Sequence, residues 1–203
     1  EVPVDSRFGD VDWDGMPKVM VGRIPAGSVA EAEGVVAKIL AYESSPMAPW
    51  MSRAIMVADD YDVAGDFKAV SERLRQDIPS HISVSTIYLD DYGSTQAATQ
   101  DLTQAWNEGA VMLTYAGHAA VDSWAHERIM TNTYMVNLTN TTGLPFVISL
   151  DCWDGYWMFP NEYPIGLNDD VRSMGEWATT VLTDRGAIAT FGPAGLGYVG
   201  IEE

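Results

Sequence analysis

The chain has 203 residues, 47% of them hydrophobic and 20% charged, which suits one folded globular domain and excludes a disordered chain. Its 29 acidic and 11 basic residues give a net charge of −18, which argues against nucleic-acid binding because phosphate recognition needs a basic surface. No apolar run approaches the roughly 18 residues that a membrane-spanning helix requires.

Apolar runs alternate with amphipathic segments along the chain, and several apolar runs have no polar face. One predicted helix begins at an S-x-x-E capping box of Ser28 and Glu31, and another is stopped by Gly109. This alternation predicts a three-layer α/β/α sandwich around a mostly parallel sheet. The predicted strands are 18–26, 53–58, 81–89, 110–117, 144–150 and 187–192, and the predicted helices are 28–43, 67–78, 94–109 and 171–186.

Three predicted strands end in residues that carry chemical function. The strand 53–58 runs into the acidic turn VADDYD, the strand 110–117 is followed by His118, and the strand 144–150 leads to Cys152. Because the carboxyl ends of parallel strands share one edge of a sheet, we expect these groups to lie close together. His118 and Cys152 are 34 residues apart, which is enough for one crossover between neighbouring strands.

Cys152 is the only cysteine, so the chain has neither a disulfide framework nor a cysteine-rich zinc site, and the thiol is either an inert core group or a nucleophile. A thiol attacks as its thiolate, and a nearby imidazole such as that of His118 takes the proton and later protonates the leaving amine. The backbone N–H groups of Cys152 and Ala119 are placed by sequence to bind the oxyanion. His126 is a second candidate for the base, whereas His81 is expected to be structural or exposed.

Four blocks of the chain resemble, in order and spacing, the catalytic domain of the gingipain family of cysteine peptidases, within the caspase-like clan. Three are strong: VGRIPAGSVAEAEGVVAKILAYE, GAVMLTYAGHAAVDSWAHE and LTNTTGLPFVISLDCWDGYW. The fourth, RGAIATFGPAGLGY, is weaker. The resemblance implies a caspase-like fold and a cysteine endopeptidase, with two of the strong blocks holding the histidine and the cysteine.

The resemblance assigns roles to individual residues. It implies that Cys152 is the nucleophile of a thioester acyl-enzyme, that His118 is the general base and acid, and that no cofactor takes part in catalysis. It also implies an oxyanion hole made by the N–H groups of Cys152 and Ala119. The family usually has GHG where this chain has GHAA, and an alanine donates the same N–H only where the backbone does not need a positive φ.

The family also has an acidic residue near the catalytic histidine, in the loop after an earlier strand. The matching place here is VADDYD, so either Asp59 or Asp60 would orient His118 or stabilise its imidazolium. We take Asp60 as the catalytic acid. An exposed acidic turn without a catalytic role is the alternative.

Family members that cleave after Arg or Lys hold an acid at the base of the substrate pocket, so the resemblance and the acidic surface together suggest cleavage after a basic residue. Asp151 precedes the nucleophile, but strand alternation is expected to point its side chain away from Cys152. The candidates for the pocket are Asp122, Asp151, Trp153, Asp154 and Glu162, with Tyr156, Trp157 and Phe159 as further aromatic walls.

Two acidic runs have the clustered oxygen ligands that calcium prefers. The resemblance implies structural Ca²⁺ in domains of this kind, while solvated acidic turns are the alternative. The first run, GDVDWDG, contributes Asp10, Asp12 and Asp14, and the second, DDYDVAGD, contributes Asp59, Asp62 and Asp66 beside Asp60.

We expect residues 1–203 to form a single peptidase catalytic domain that is cut short at both ends. The expected partners are protein or peptide substrates and an inhibitory pro-segment, and the expected location is outside the cell or on its surface. Two alternatives stay open: a catalytically inactive caspase-like binding module, favoured by GHAA, and a calcium-stabilised domain of a larger surface protein.

Overall fold

The computed structural model describes residues 5–157 and 172–197. The strands are β1 (Arg53–Ala58), β2 (Ser83–Tyr88), β3 (Met112–Ala116), β4 (Ala119–Ala120), β5 (Ser123–Trp124), β6 (Met130–Thr131), β7 (Phe146–Leu150) and β8 (Ala189–Phe191). The helices are α1 (Val29–Glu43), α2 (Phe67–Arg75), α3 (Thr95–Glu108), α4 (Asn132–Met135) and α5 (Met174–Glu176), and a π-turn over Trp177–Val181 continues α5.

Five strands form one sheet in the order β2-β1-β3-β7-β8, and all neighbours in it are parallel. The register aligns Ala58 of β1 with Ala116 of β3, and Ala116 with Leu150 of β7. A small antiparallel sheet, β4-β5-β6, follows β3 directly. The prediction of a mostly parallel α/β sheet is therefore confirmed.

Helices cover both faces of the central sheet, which explains why its strands are apolar throughout. Along β1, Ile55 and Val57 join the larger core, to which α3 contributes Leu102 and Trp106. The alternate residues of β1 join a smaller core with Phe67 of α2. Three layers result, as predicted, and within the described ranges no helix combines the length and apolarity of a membrane span.

The helix boundaries follow the capping signals in the sequence. The hydroxyl of Ser28 accepts from the N–H of Glu31 at the start of α1, although the Glu31 carboxylate accepts from Gly27 rather than from Ser28. The hydroxyl of Ser94 caps α3, and Gly109 ends that helix with a φ of +81°. Local capping signals therefore determine both ends of α3, and β3 follows within the predicted range 110–117.

The predicted first strand, 18–26, is not a strand in the structure. Its apolar side chains are largely exposed, with Met20 fully so, and the segment joins neither sheet. The backbone of a strand needs a neighbouring strand for its hydrogen bonds, and an apolar run without one stays irregular. The segment is held instead to the N-terminal residues by the ion pair of Arg23 with Asp5.

The predicted helix 171–186 is shorter and less regular than its periodicity indicates. It begins at a complete capping box of Ser173 and Glu176, and its regular part ends after one turn in the π-turn. Lys38 of α1 is buried and donates to the carbonyl oxygens of Ala178, Leu182, Arg185 and Ala187 at 2.8–3.4 Å. A side chain from another helix therefore binds these carbonyls where a continuing α-helix would, and the carbonyl of Ala178 also accepts from the N–H of Ala187 at 2.8 Å.

Candidate active site

The carboxyl ends of β1, β3 and β7 meet at one edge of the central sheet. His118 lies two residues beyond Ala116, and Cys152 lies two residues beyond Leu150, the register partner of Ala116. The N–H of Gly117 extends the pairing by donating to the carbonyl of Leu150 at 3.2 Å. His118 and Cys152 therefore leave neighbouring strands at the same level.

The direction of the chain connections reverses between β1 and β3. The chain runs from β1 to β2 through α2, which packs on β1 and β3. It then runs from β2 to β3 through α3, whose side chains join the core on the opposite face of the sheet. A parallel sheet leaves a crevice at such a reversal, beyond the carboxyl ends of its strands. The loop after β1 and the loop after β3 border this crevice.

The imidazole of His118 has a defined set of partners. Its Nε2 lies 2.9 Å from Oδ2 of Asp62, and the side chains of both residues are 33% exposed. The ring of Phe67 meets it edge-on, with 5.3 Å between ring centroids, and the ring of His126 stacks on it at 4.9 Å. The histidine side chain is thus held by a carboxylate and by two aromatic rings.

Asp62 remains ionised, and this determines which imidazole nitrogen carries a proton. The N–H of Ala64 donates to Oδ1 of Asp62, and this hydrogen bond, with the contact to His118, lowers the pKa of Asp62. A carboxylate only accepts hydrogen bonds, so the neutral imidazole donates from Nε2. Nδ1 is then the nitrogen with a free lone pair.

Asp59 supports the backbone of His118. Its carboxylate is buried, and it accepts from the N–H of His118 at 2.9 Å and from the N–H of Asp60 at 3.0 Å. Burial raises the pKa of Asp59 to about 6, partly offset by these two hydrogen bonds. A side chain at Gly117 would collide with Asp59 and with the hydroxyl of Tyr115, so this close contact requires a glycine.

Asp60, which the sequence analysis takes as the catalytic acid, is half-buried beside Asp59 and Glu127. The carboxylate that contacts the His118 imidazole belongs instead to Asp62. From the sequence pattern, Asp62 is predicted only as a calcium ligand. Sequence alone offers several acids after β1, and which of them reaches the imidazole depends on the path of the turn between β1 and α2.

Cys152 is half-buried, and its Sγ lies 3.6 Å from the carbonyl oxygen of Gly197. The next residue, Trp153, has a φ of +66°, which is uncommon for a residue with a side chain. Its N–H donates to the carbonyl of Gly195 at 2.9 Å. The chain therefore turns sharply just after the cysteine, and the segment Pro193–Gly197 lies along this turn.

Asp151 and Asp154 form a buried acidic pair next to Cys152. Burial alternates along β7 and onward, so Asp151 lies on the same face as Ser149 while Cys152 lies on the other. Both carboxyl oxygens of Asp151 lack a hydrogen-bond partner among the described residues, whereas Asp154 accepts from the hydroxyl of Ser149 and from Nε1 of Trp124. Burial, with the neighbouring acid as a smaller cause, raises the pKa of Asp151 to about 10, and burial raises that of Asp154 to about 6.

The other predicted pocket residues lie in different surroundings. Asp122 is half-exposed and pairs with Arg128 at 3.1 Å, and Trp153 meets Tyr156 edge-on with ring centroids 4.9 Å apart. Trp157 lines a cavity of about 720 Å³ together with Gly155, and its ring lies under the guanidinium of Arg23. The roles of these residues in substrate binding stay predictions, and Phe159 and Glu162 lie outside the described residues.

The second donor of the predicted oxyanion hole is compatible with alanine. Among the described residues, the side-chain-bearing residues with positive φ are Trp13, Ala125, Arg128 and Trp153. Ala119 is not one of them, so the replacement of the family's glycine causes no backbone strain at this position. Ala119 begins β4 and pairs with Trp124 of β5.

The predicted calcium ligands lie in four different surroundings. Carboxylate oxygens of Asp10, Asp12 and Asp14 lie within 4.8 Å of one another, and the ammonium of Lys18 binds this cluster. Asp59 clusters with Asp60 and Glu127 rather than with the other predicted acids. Asp66 caps α2 through the N–H of Ala69, and Asp62 contacts His118. The first cluster suits a cation because a cationic group already lies against it.

Comparison with known proteins relates the whole chain to one family. The model of Peptidase family C25 matches residues 1–203. Gingipain R2 of Porphyromonas gingivalis is 24% identical over 166 residues, which are 76% of this chain and 22% of that protein. Gingipain R1 of the same species is also 24% identical over 166 residues, which are 16% of its length. The chain thus spans less than a quarter of the curated relatives that it matches.

Solved structures share the fold. The crystal structure of the Arg-specific cysteine proteinase gingipain R superimposes with a TM-score of 0.75 at 20% identity, covering 97% of this chain and 45% of that one. A complex of the pro- and mature domains of RgpB from Porphyromonas gingivalis gives a TM-score of 0.70 at 19% identity, covering 95% and 45%. At this identity the likeness establishes the fold, and the predicted caspase-like α/β architecture is confirmed.

Proposed function

We propose, because the chain belongs to peptidase family C25, that it hydrolyses peptide bonds with Cys152 as nucleophile and His118 as general base and acid. One observation carries this proposal: the two residues leave neighbouring parallel strands at the same level, beside the crevice where the sheet topology reverses. A thiol and an imidazole in that arrangement are sufficient for acyl transfer.

The contact of Nε2 with Asp62 supports one direction of proton transfer. Since Nε2 carries the proton, Nδ1 of His118 accepts the proton of the Cys152 thiol. The thiolate attacks the carbonyl carbon of the scissile bond, and the backbone N–H groups of Cys152 and Ala119 stabilise the oxyanion. His118 then protonates the leaving amine, the C–N bond breaks, and a thioester to Cys152 remains.

Water completes the cycle. Nδ1 of His118 takes a proton from a water molecule, which attacks the thioester carbonyl. The C–S bond breaks, the carboxylic acid product leaves, and the proton returns to the sulfur. Asp62 stabilises the imidazolium in both halves of the reaction because its carboxylate lies 2.9 Å from Nε2.

Replacement of the thiol tests the proposal. We expect Cys152→Ala to lower peptide hydrolysis at least about 1,000-fold and to abolish labelling by a thiol-directed inhibitor, since the nucleophile is lost. His81→Ala, far from the site at the start of β2, is the control and keeps full activity. Hydrolysis that persists in Cys152→Ala would discard the mechanism, and an inert wild type would favour an inactive binding module.

The supporting acid is tested by two neighbouring substitutions. Asp62→Asn keeps the size of the side chain but removes the charge next to Nε2, so kcat is expected to fall about 10- to 100-fold with little change in KM. Asp60→Asn is the matched comparison, since its carboxylate lies beside Asp59 and Glu127. A larger loss in Asp60→Asn than in Asp62→Asn would return the role to the residue that the sequence analysis prefers.

The substrate class that we propose is a peptide or protein cleaved after Arg or Lys. Support comes from the net charge of −18 and from the Arg-specific proteinase among the structural relatives. A panel of fluorogenic peptides with Arg, Lys, Asp or Asn at the cleavage position, otherwise identical, decides the question. Preference for Asp or Asn would reject this substrate class while leaving the peptidase chemistry intact.

We further propose that Asp10, Asp12 and Asp14 bind structural Ca²⁺. Hard oxygen ligands at this separation suit calcium, which displaces the ammonium of Lys18 from the cluster. The melting temperature measured in Ca²⁺ and in chelator tests this, with Mg²⁺ as the control ion. Equal melting temperatures in all three conditions would exclude the site.

An inhibitory pro-segment and a location outside the cell or on its surface complete the proposal. A relative forms a complex of pro- and mature domains, and the family resemblance implies the location. Fractionation of the producing cells, followed by detection of the protein with an antibody, tests the location directly.

A further inference from the structure

We infer that His126 is a positioning residue for His118: by stacking on the imidazole, it holds the ring in the orientation that places Nε2 on Asp62. The inference concerns the orientation of the ring and rests on the proposed function only where it predicts kinetics. His126 itself is exposed, and it acts through its contact with the ring of His118.

The contacts of the His118 ring explain why a third partner matters. The two histidine rings are 4.9 Å apart at their centroids and are tilted by 22°, whereas Phe67 meets the ring at 74°. Rotation about the Cβ–Cγ bond of a histidine is broad, so a single hydrogen bond at the end of the ring defines its plane poorly. A stacked ring restricts the plane, because rotation would break the contact between the two faces.

The backbone around His126 is built to present that side chain to His118. The N–H of Ala125 donates to the carbonyl of His118 at 2.7 Å, and the N–H of Arg128 donates to the carbonyl of Ala125 at 3.1 Å. Ala125 and Arg128 both have positive φ, +62° and +61°. Side-chain-bearing residues adopt this conformation rarely, and it persists only where the surrounding structure holds it in place.

Side-chain contacts hold the other end of the same turn. The guanidinium of Arg128 binds the carboxylate of Asp122 at 3.1 Å and lies 3.4 Å from the hydroxyl of Ser123. Ser123 belongs to β5, which pairs with β4 directly after His118. The turn is therefore anchored on both sides to the segment that carries the base, and residue 126 lies between the anchors.

The first arm of the test measures the ring contact itself by NMR on the protein with labelled histidines. In the wild type we expect nuclear Overhauser effects between the rings of His118 and Phe67, and we expect them to weaken several-fold in His126→Ala because the ring rotates more freely. His126→Phe keeps a stacking ring and is expected to retain them. Equal effects in the wild type and His126→Ala would overturn the inference.

The second arm measures peptide hydrolysis. We expect His126→Ala to lower kcat about 3- to 10-fold with KM nearly unchanged, the scale that loss of one aromatic contact supports, and His126→Phe to recover most of the loss. His81→Ala is the matched control and keeps the wild-type values. A loss in His126→Phe as large as that in His126→Ala would reject ring contact as the cause.

The two arms separate this inference from the proposed function. A wild type that shows the ring contacts but cleaves no peptide contradicts the peptidase proposal and leaves the positioning of His118 by His126 standing. A wild type that cleaves peptides while His126→Ala matches it in both arms supports the peptidase and overturns the role of His126.

Discussion

Burial strongly opposes the ionisation of Asp151. The residue is 4% exposed, and its carboxyl group has no hydrogen-bond partner among the described residues and lies near the second buried acid, Asp154. A buried carboxylate without partners is costly, so the group stays protonated. The neutral acid beside Cys152 adds no charge that would oppose formation of the thiolate.

The stability of the protein is expected to fall as the pH rises because of Asp151. The pKa of Asp151 is near 3.8 in the unfolded chain and about 10 in the folded protein, so the folded state binds more protons across this window. The stabilisation is therefore fully present below about pH 4 and is lost progressively towards pH 10, by up to about 1.4 kcal/mol per pH unit. Urea unfolding at pH 5, 7 and 9, under reducing conditions, measures this slope.

Asp151→Asn is expected to flatten that slope, because asparagine has the same size and does not ionise. Asp122→Asn serves as the control, since its carboxylate is half-exposed and pairs with Arg128. Equal slopes in the wild type and Asp151→Asn would mean that the Asp151 carboxyl group is not held neutral in the folded protein.

At the scale of the elements, the contact of α1 with the π-turn replaces a regular helix end. Lys38 is 5% exposed, and burial lowers its pKa to about 8, yet its Nζ lies within hydrogen-bond distance of four carbonyl oxygens, of which only that of Ala178 also accepts from the N–H of Ala187. Buried carbonyls without donors are unfavourable. The side chain of one helix therefore determines where the next one ends.

Removal of this amine is expected to destabilise the fold. Lys38→Met keeps the aliphatic length and removes the donor to the carbonyls of Leu182, Arg185 and Ala187, so the free energy of unfolding should fall by about 2–4 kcal/mol. Lys68→Met on α2 is the matched control, because Lys68 is exposed and forms a surface ion pair with Asp91 worth less than about 1 kcal/mol. Similar losses in the two variants would show that the carbonyl contacts of Lys38 contribute little.

For the whole molecule, charge and topology act together. The protein has a net charge of −18, and three strand ends contribute functional groups to the crevice at the edge of its sheet. A negative field raises the local concentration of cationic substrates and lowers that of anionic ones. The net charge thus attracts cationic peptides before any specific pocket contact is made, which supports the proposed cleavage after Arg or Lys.

Salt is expected to weaken this attraction. Between about 0.02 and 0.5 M NaCl, kcat/KM for an Arg peptide that carries extra lysines should fall about 5- to 10-fold, because the screening length shortens from about 20 Å to a few ångströms. The same peptide with the lysines replaced by glutamines is the control. A parallel decline for both peptides would show that salt acts on the enzyme rather than on the encounter.

Local patterns in the sequence predict most of the fold. Uninterrupted apolar runs predict β1, β3 and β7 within one or two residues, since strands buried on both faces need such runs. Ser94 and Gly109 bracket α3 because capping depends on neighbouring residues alone. The segment 18–26 is predicted wrongly, since pairing of a strand depends on a distant partner that local sequence does not specify.

What the sequence by itself determined, then, is the layered parallel sheet and the positions of His118 and Cys152 beyond two of its strands, because burial and chain direction follow from local periodicity. Only the tertiary structure decided that Asp62 rather than Asp60 contacts the imidazole, that His126 stacks on it, and that Asp151 is buried without a partner. These contacts join residues far apart in the chain, and they depend on turn conformations, such as the positive φ of Ala125, that no local pattern encodes.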